Sequence, residues 1–361
     1  MSSKLYNLDE QENIKKPLLP DAEPLIFEHP PFEALLLSPL GGISYHAAYL
    51  IWGFLNVAIW LLLPYLLRAY LTAPKDDLGY LLLWLLFLPL GAALFEGQSS
   101  LVALMLYSMT FIQLRDGRDF WAGTVFGLAL FKFQFAIPFM LILLLQRKWR
   151  FVKGFVVTAT ALGALSVVAV GWRGIFSYIH LLAGIAAHPE NASYGSAIGM
   201  ATVGGFVNPL LGMALGHAAA SWIVASVSIS LLFWTAWRWS KAGFAVDQRT
   251  FDLMFAAAVV ASLATSLHMF TYDRSPTQLA MLLAARYFPG RRHRTLQIVL
   301  AAALLMLWMP PLFFLLLARH WFYLFFPVLM LLLFGIFKLA VIPPEAPAIE
   351  NDDARVRLAD L

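Results

Sequence analysis

The sequence predicts an all-α polytopic membrane protein, and three observations carry that prediction. Hydrophobic residues fill 61% of the 361 positions and charged residues only 13%, against roughly 45–50% and 25% in ordinary soluble domains. Several apolar runs approach the ~20 residues that a helix needs to cross a bilayer. The basic residues collect between those runs, so the net charge of +4 and pI near 9.2 reflect membrane orientation rather than nucleic-acid binding. Cysteine is absent, which excludes disulfides, thiolate metal sites and S-acylation.

Residues 1–46 read as an extracytoplasmic N-terminal segment. Pro17, Pro20, Pro24, Pro30 and Pro31 rule out a long helix there. The start, Met1 to Tyr6, lacks the apolar core of a signal peptide. Asp9, Glu10, Glu12, Asp21, Glu23, Glu28 and Glu33 outnumber Lys4, Lys15 and Lys16.

Residues 47–342 form the transmembrane domain, with about eleven membrane segments. They are placed at Ala47–Leu67, Leu78–Phe95, Ser100–Leu114, Phe120–Phe131, Ala136–Leu145 and Val152–Gly171. Ala218–Trp237, Leu253–Leu267, Pro276–Ala285, Leu296–Leu317 and Phe322–Leu339 follow. Several fall short of ~17 residues, so half-spanning or kinked helices are expected, with Pro89 and Pro138 as natural breaks. Residues 343–361 read as a charged cytoplasmic tail.

Charge sets the orientation. With residues 1–46 outside and each segment crossing once, 18 of the 25 Lys and Arg residues face the cytoplasm and seven do not. The bias holds only if the glycine-rich piece Ala197–Gly216 lies in the interface or re-enters. The same assignment brings Glu96-Gly97-Gln98, Lys132-Phe133-Gln134, the Trp172–Tyr194 loop and the stretch from His268 to Arg274 to the extracytoplasmic end. A lysine between Phe131 and Phe133 is costly in lipid unless it has water or an anion, which marks Lys132 as a site candidate. Snorkelling from a helix end to the headgroups is the other reading of the same residue. His180, His188 and Glu190 fit no standard metal spacing and read as a solvated loop. Asn191-Ala192-Ser193 is a glycosylation sequon.

An ordered set of short motifs resembles family 87 glycosyltransferases. Glu28-His29-Pro30-Pro31-Phe32 with Leu35 to Leu40 is similar to that family's Tyr-Pro-Pro passage. Gly97-Gln98-Ser99-Ser100, Ala122-Gly123, Lys132-Phe133-Gln134 and Arg147 to Arg150 follow in the family's order. His268, Tyr272 and Asp273 fit its late His…Tyr-Asp pattern, so the resemblance runs over roughly residues 28–290. Phe133 stands where the family usually has proline, and Arg274-Ser275-Pro276 replaces an apolar continuation.

The resemblance implies a GT-C-like helical bundle and a hexosyltransferase that moves mannose from polyprenyl-phosphate mannose to an extracytoplasmic glycan or glycolipid acceptor. It implies a multi-pass protein of the bacterial plasma membrane with no cofactor beyond the lipid-linked donor and no metal. Lys132 would contact the phosphate, with Gln98 and Gln134 bonding sugar or phosphate, His268 and Asp273 lining the same cavity, and Arg274 counted with the substrate-binding residues. The family's catalytic acid would lie upstream of Met1, so the chain reads as truncated and a poor transferase. Among its own acids, Glu96 and Asp273 are the catalytic candidates, with Arg274 the expected partner of Asp273. A lipid-linked-sugar flippase or transporter is the alternative class, because it too holds charge between broken helices.

Overall fold

The computed structural model describes residues 4–16, 26–71, 77–187, 200–243 and 247–343. Every regular element among them is a helix, as lipid favours when each backbone polar group is satisfied within its own segment. The N-terminal segment supplies α1 (Leu8–Lys15) and α2 (Pro31–Leu37), the latter opened by a proline in its first turn. Then come α3 (Tyr45–Leu71), α4 (Asp77–Leu85), α5 (Leu88–Phe95), α6 (Ser100–Arg115) and α7 (Asp119–Gly127). A 3-10 turn, Leu128–Lys132, leads into α8 (Phe133–Leu145), followed by α9 (Trp149–Ala187), α10 (Val203–Leu215) and α11 (His217–Ala242). The chain ends with α12 (Gln248–Ala264), α13 (Thr277–Arg286), α14 (Arg294–Trp308), α15 (Pro310–Ala318) and α16 (Phe325–Val341).

The core gathers around α12. Each of its residues from Thr250 to Ala264 is buried, the mark of a helix enclosed on all sides. Helices α6, α8, α11, α13 and α16 pack around it.

Helices α7 and α8 form a hairpin. Residues 119–145 have the length and apolarity of one 27-residue span, but a straight helix would put Phe126 and Phe139 about 20 Å apart. Their rings lie 4.6 Å apart instead, and Asp119, at the start of α7, is 3.3 Å from Lys148, just past the end of α8. The two expected segments Phe120–Phe131 and Ala136–Leu145 are therefore separate arms. The break falls at Lys132 (φ −114°, ψ 59°), whereas α8 runs through Pro138, the expected breaking point. Each arm is roughly 20–24 Å long, shorter than the ~30 Å hydrocarbon core.

Glycines seat this hairpin on α9. A Cβ at Gly123 would lie 1.9 Å from the Phe151 carbonyl oxygen, and one at Gly154 2.0 Å from that of Phe120. Such small residues let helix backbones approach closely in a membrane.

Other apolar runs also resolve into pieces. Among the described residues, five helical stretches, residues 119–145 counted as one, have the length and composition to cross a membrane, or up to seven if each bent pair is one span, against the eleven expected. The expected Leu78–Phe95 segment bends by 48° between α4 and α5, with Pro89 in the first turn of α5. The expected Leu296–Leu317 segment bends by 67° between α14 and α15, where Pro310 opens the new helix. In place of a loop from Trp172, helix α9 continues to Ala187 past a kink at Gly171 (φ +69°). His188, Glu190 and the Asn191 sequon, like the tail from residue 344, lie outside the described residues.

The bundle has two distinct ends. At one end Arg238 and Arg249 donate to the last carbonyls of α16, Gln146 bonds the Ala236 carbonyl, and Arg115 meets Gln248. At the other, Ser100, Lys132, His268 and Asp273 converge. Helix α10 starts at this second end, where the Ala201 N–H donates to the Met269 carbonyl. It hands over at Gly216 to α11, which descends to the basic end. Residues 200–216 of the glycine-rich piece thus begin and end toward the same end of the bundle.

Candidate functional site

Lys132 reaches the site because the hairpin turns there. Its side chain is only 5% exposed, so it does not snorkel; Nζ lies 2.5 Å from Asp273 Oδ1. Ser100, the first residue of α6, donates its hydroxyl to the same oxygen at 3.1 Å. The Phe270 N–H donates to Asp273 Oδ2 at 3.2 Å. Three elements thus meet on one carboxylate: the start of α6, the hairpin apex and the turn after α12. The ammonium also sits 5.6 Å from the centre of the Tyr272 ring and 5.9 Å from that of Phe135, where ring faces attract a cation.

Beside this pair runs a chain of polar groups. Gln134, in the first turn of α8, places its amide nitrogen 3.1 Å from His268 Nε2. His268 Nε2 lies 3.8 Å from Glu28 Oε1, and His29 Nδ1 lies 2.8 Å from Glu33 Oε2. Burial holds the His268 imidazole below its usual range, against the opposing pull of the Asp273 and Glu28 charges. The imidazole is therefore neutral near pH 7.

Glu96 and Gln98 flank the helix stop after α5. Gly97 takes φ +63°, its N–H bonds the Leu94 carbonyl and the Gln98 N–H bonds the Ala93 carbonyl. That pattern is a Schellman cap. Helix α3 fastens it, with Tyr49 donating to the Phe95 carbonyl and Trp52 to that of Gly97. Glu96 is exposed, and its carboxyl is raised by partial desolvation and then by the Asp273 charge.

Arg274 corrects the expected Asp273–Arg274 pair. Asp273 takes Lys132, while Arg274 turns the other way into α15 and α16. Its guanidinium carbon lies 3.9 Å from the Phe325 ring centre, 4.5 Å from Phe313 and 5.6 Å from Phe322. The side chain is wholly buried, and among the described residues none of its three guanidinium nitrogens has a hydrogen-bond partner. Adjacent residues on a 3-10 turn point in different directions, so sequence adjacency did not translate into contact.

The site also includes residues that the sequence offered without roles. Ser100 stood in the Gly-Gln-Ser-Ser motif as a small polar residue, and Glu28 beside the proline pair. Their contacts lie 173 and 240 residues away along the chain, and no local pattern announces such partners.

Together these features define a polytopic helical membrane protein with one polar site sunk into the end opposite its basic residues. The family model for glycosyltransferase family 87 matches residues 27–266, about two-thirds of the chain, and the chain belongs to that family. It is accordingly a glycosyltransferase, working between a sugar donor and an acceptor. The match holds Glu28, Glu96, Gln98, Lys132 and Gln134 and stops just before His268, Asp273 and Arg274, narrower than the resemblance over residues 28–290. No curated protein and no solved structure matches the chain.

Proposed function

We propose that this glycosyltransferase moves mannose from a polyprenyl-phosphate carrier to a glycan or glycolipid hydroxyl at the extracytoplasmic face of a bacterial plasma membrane, within a GT-C-type helical domain. The observation that carries the reading is Lys132, buried at the hairpin apex and held by Asp273 at the end away from the basic residues. Residues 1–46 face outside on this reading, and the basic end faces the cytoplasm, as positive-inside charge favours.

The chemistry follows from the geometry. An acceptor hydroxyl attacks the anomeric carbon, and the bond from that carbon to the phosphate oxygen breaks with its electron pair going to the phosphate. Lys132 supports the charge that gathers on the leaving phosphate, a role a preorganised cation fills at low cost in reorganisation. Asp273, with both oxygens already engaged, positions the ammonium rather than taking protons. Gln134 and His268 offer neutral hydrogen-bonding groups to the sugar. Glu96 and Gln98 lie on the turn that borders this end, and we assign them supporting contacts with the donor; Arg274, buried among Phe313, Phe322 and Phe325, faces away from it.

The test uses purified protein in vesicles, radiolabelled polyprenyl-phosphate mannose and an alkyl mannoside as acceptor. Lys132→Met should insert normally and lose ~10²-fold or more of the transfer rate, while Lys132→Arg keeps part of it. Transfer by Lys132→Met at the parent rate would show that the lysine is only an anchor. Impermeant thiol labelling checks the orientation: Ala183→Cys should react from outside and Arg150→Cys should not.

A further inference from the structure

We propose that Glu28 is the carboxylate that takes the proton from the incoming hydroxyl, an assignment that rests on the transferase reading above. Four acids come near the site, and three are committed or displaced. Asp273 is held by Lys132, Ser100 and the Phe270 N–H. Glu33 Oε2 faces His29 Nδ1 at 2.8 Å without a hydrogen bond among the described residues, and it is the Glu28 charge, not that of Glu33, that acts on His268. Glu96 sits on the exposed side of the Schellman turn. Glu28 accepts no hydrogen bond among the described residues, yet its side chain is only 16% exposed.

Glu28 faces the polar cluster around His268. Glu28 Oε1 and His268 Nε2 are 3.8 Å apart, too far for a direct hydrogen bond. An acceptor hydroxyl within about 2.8 Å of Glu28 Oε1 can donate its hydrogen to that oxygen. The Gln134 amide N–H reaches His268 Nε2, which places the imidazole proton on Nδ1. His268 then presents no N–H to Glu28, and the carboxylate stays open to the acceptor. A proton acceptor needs this reach before any other property.

The segment bearing Glu28 is fastened. The Phe27 N–H donates to Gln11 Oε1 at 2.8 Å, and the Tyr6 hydroxyl donates to the His29 carbonyl at 2.8 Å. Tyr6 packs its ring 4.9 Å from that of Tyr178 on α9, and α2 lies along the same helix. In the displacement the acceptor oxygen bonds the anomeric carbon and its proton passes to the Glu28 carboxylate. The phosphate departs with the bonding pair, so the products are the new glycoside and polyprenyl phosphate.

Transfer and donor binding, measured separately on intact protein, decide the matter. Glu28→Gln should bind polyprenyl-phosphate mannose with the parent Kd, read by intrinsic tryptophan fluorescence, and transfer mannose ~10²–10⁴-fold more slowly. Glu28→Asp, which keeps the acid one methylene shorter, should recover part of the rate and guards against misfolding of the amide variant. Parent-like transfer by Glu28→Gln, with loss in Glu96→Gln, would move the role to Glu96 and leave the transferase reading standing. A parent that binds donor but transfers nothing overturns the Glu28 assignment alone. A parent that does not bind the donor overturns both.

Discussion

The bundle carries a buried cation–carboxylate pair at each end, and the two differ in their surroundings rather than in their charges. At the basic end Arg115 Nε lies 3.5 Å from Asp252 Oδ1, and the Tyr287 hydroxyl donates to Asp252 Oδ2 at 2.6 Å. The Arg115 guanidinium carbon is 5.0 Å from the Tyr70 ring centre and 5.8 Å from that of Phe111. At the other end Lys132 and Asp273 likewise share a hydroxyl donor, Ser100. Here, however, Gln134, His268 and Glu28 stand alongside. The Arg115 pair is walled by aromatic rings and ties α6 to α12. The Lys132 pair opens onto groups that can bond a substrate. A buried ion pair alone is therefore no sign of a site; the run of Gln134, His268 and Glu28 beside Lys132 is what sets that pair apart.

Substitutions can break this parallel. Arg115→Met and Lys132→Met each strand a buried carboxylate and should each lower unfolding stability by about 3–5 kcal/mol in detergent. Neutralising both partners separates the ends: Arg115→Met with Asp252→Asn should regain stability and transfer mannose within a few-fold of the parent. Lys132→Met with Asp273→Asn should regain stability and still transfer ~10²-fold more slowly. Equal losses of transfer in the two double variants would erase the distinction.

Arg274 sharpens the comparison as a third buried cation, one with no carboxylate. Its rings supply attraction but no hydrogen bonds, so Arg274→Met should raise unfolding stability by roughly 1–4 kcal/mol without donor present. A fall in the unfolding temperature would mean that the ring contacts outweigh the desolvation of the charge. Next in size comes Gly123→Ala, which forces α7 off the α9 backbone and should cost about 1–3 kcal/mol. Because α7 carries the apex, transfer should slow along with the lost stability, unlike in the Arg115 double variant.

The smallest effect is a pH slope. Burial lowers the His268 pKa below its ordinary value of 6.5, so the unfolded chain binds more protons than the folded one just below that value. Stability should fall as pH drops through 6.5 toward the folded pKa, and rise as pH increases. His268→Gln should flatten this part of the profile of unfolding temperature between about pH 7.5 and 5.5. An unchanged slope would assign it to other groups.

The sequence by itself determined the class of fold and the ingredients of the site. Lipid admits only backbone that bonds within itself, so apolar runs without charge are readable as membrane helices from their composition alone. Lys132, Gln134, His268 and Asp273 were legible for the same reason: polar residues beside apolar runs stand out. What the tertiary structure decided was partnership and direction. It gave Asp273 to Lys132, 141 residues away, and turned its neighbour Arg274 into an aromatic box. It fastened Glu28, on the proline-broken N-terminal segment, through Tyr6, Gln11 and α9. It also bent the expected span of residues 296–317 at Met309 and carried α8 through Pro138. Composition reports the solvent a segment prefers, and that is a local property. Which side chain meets which is set by helix rotation and close approach, at places such as Gly123 against Phe151, and these depend on contacts between segments far apart in the chain.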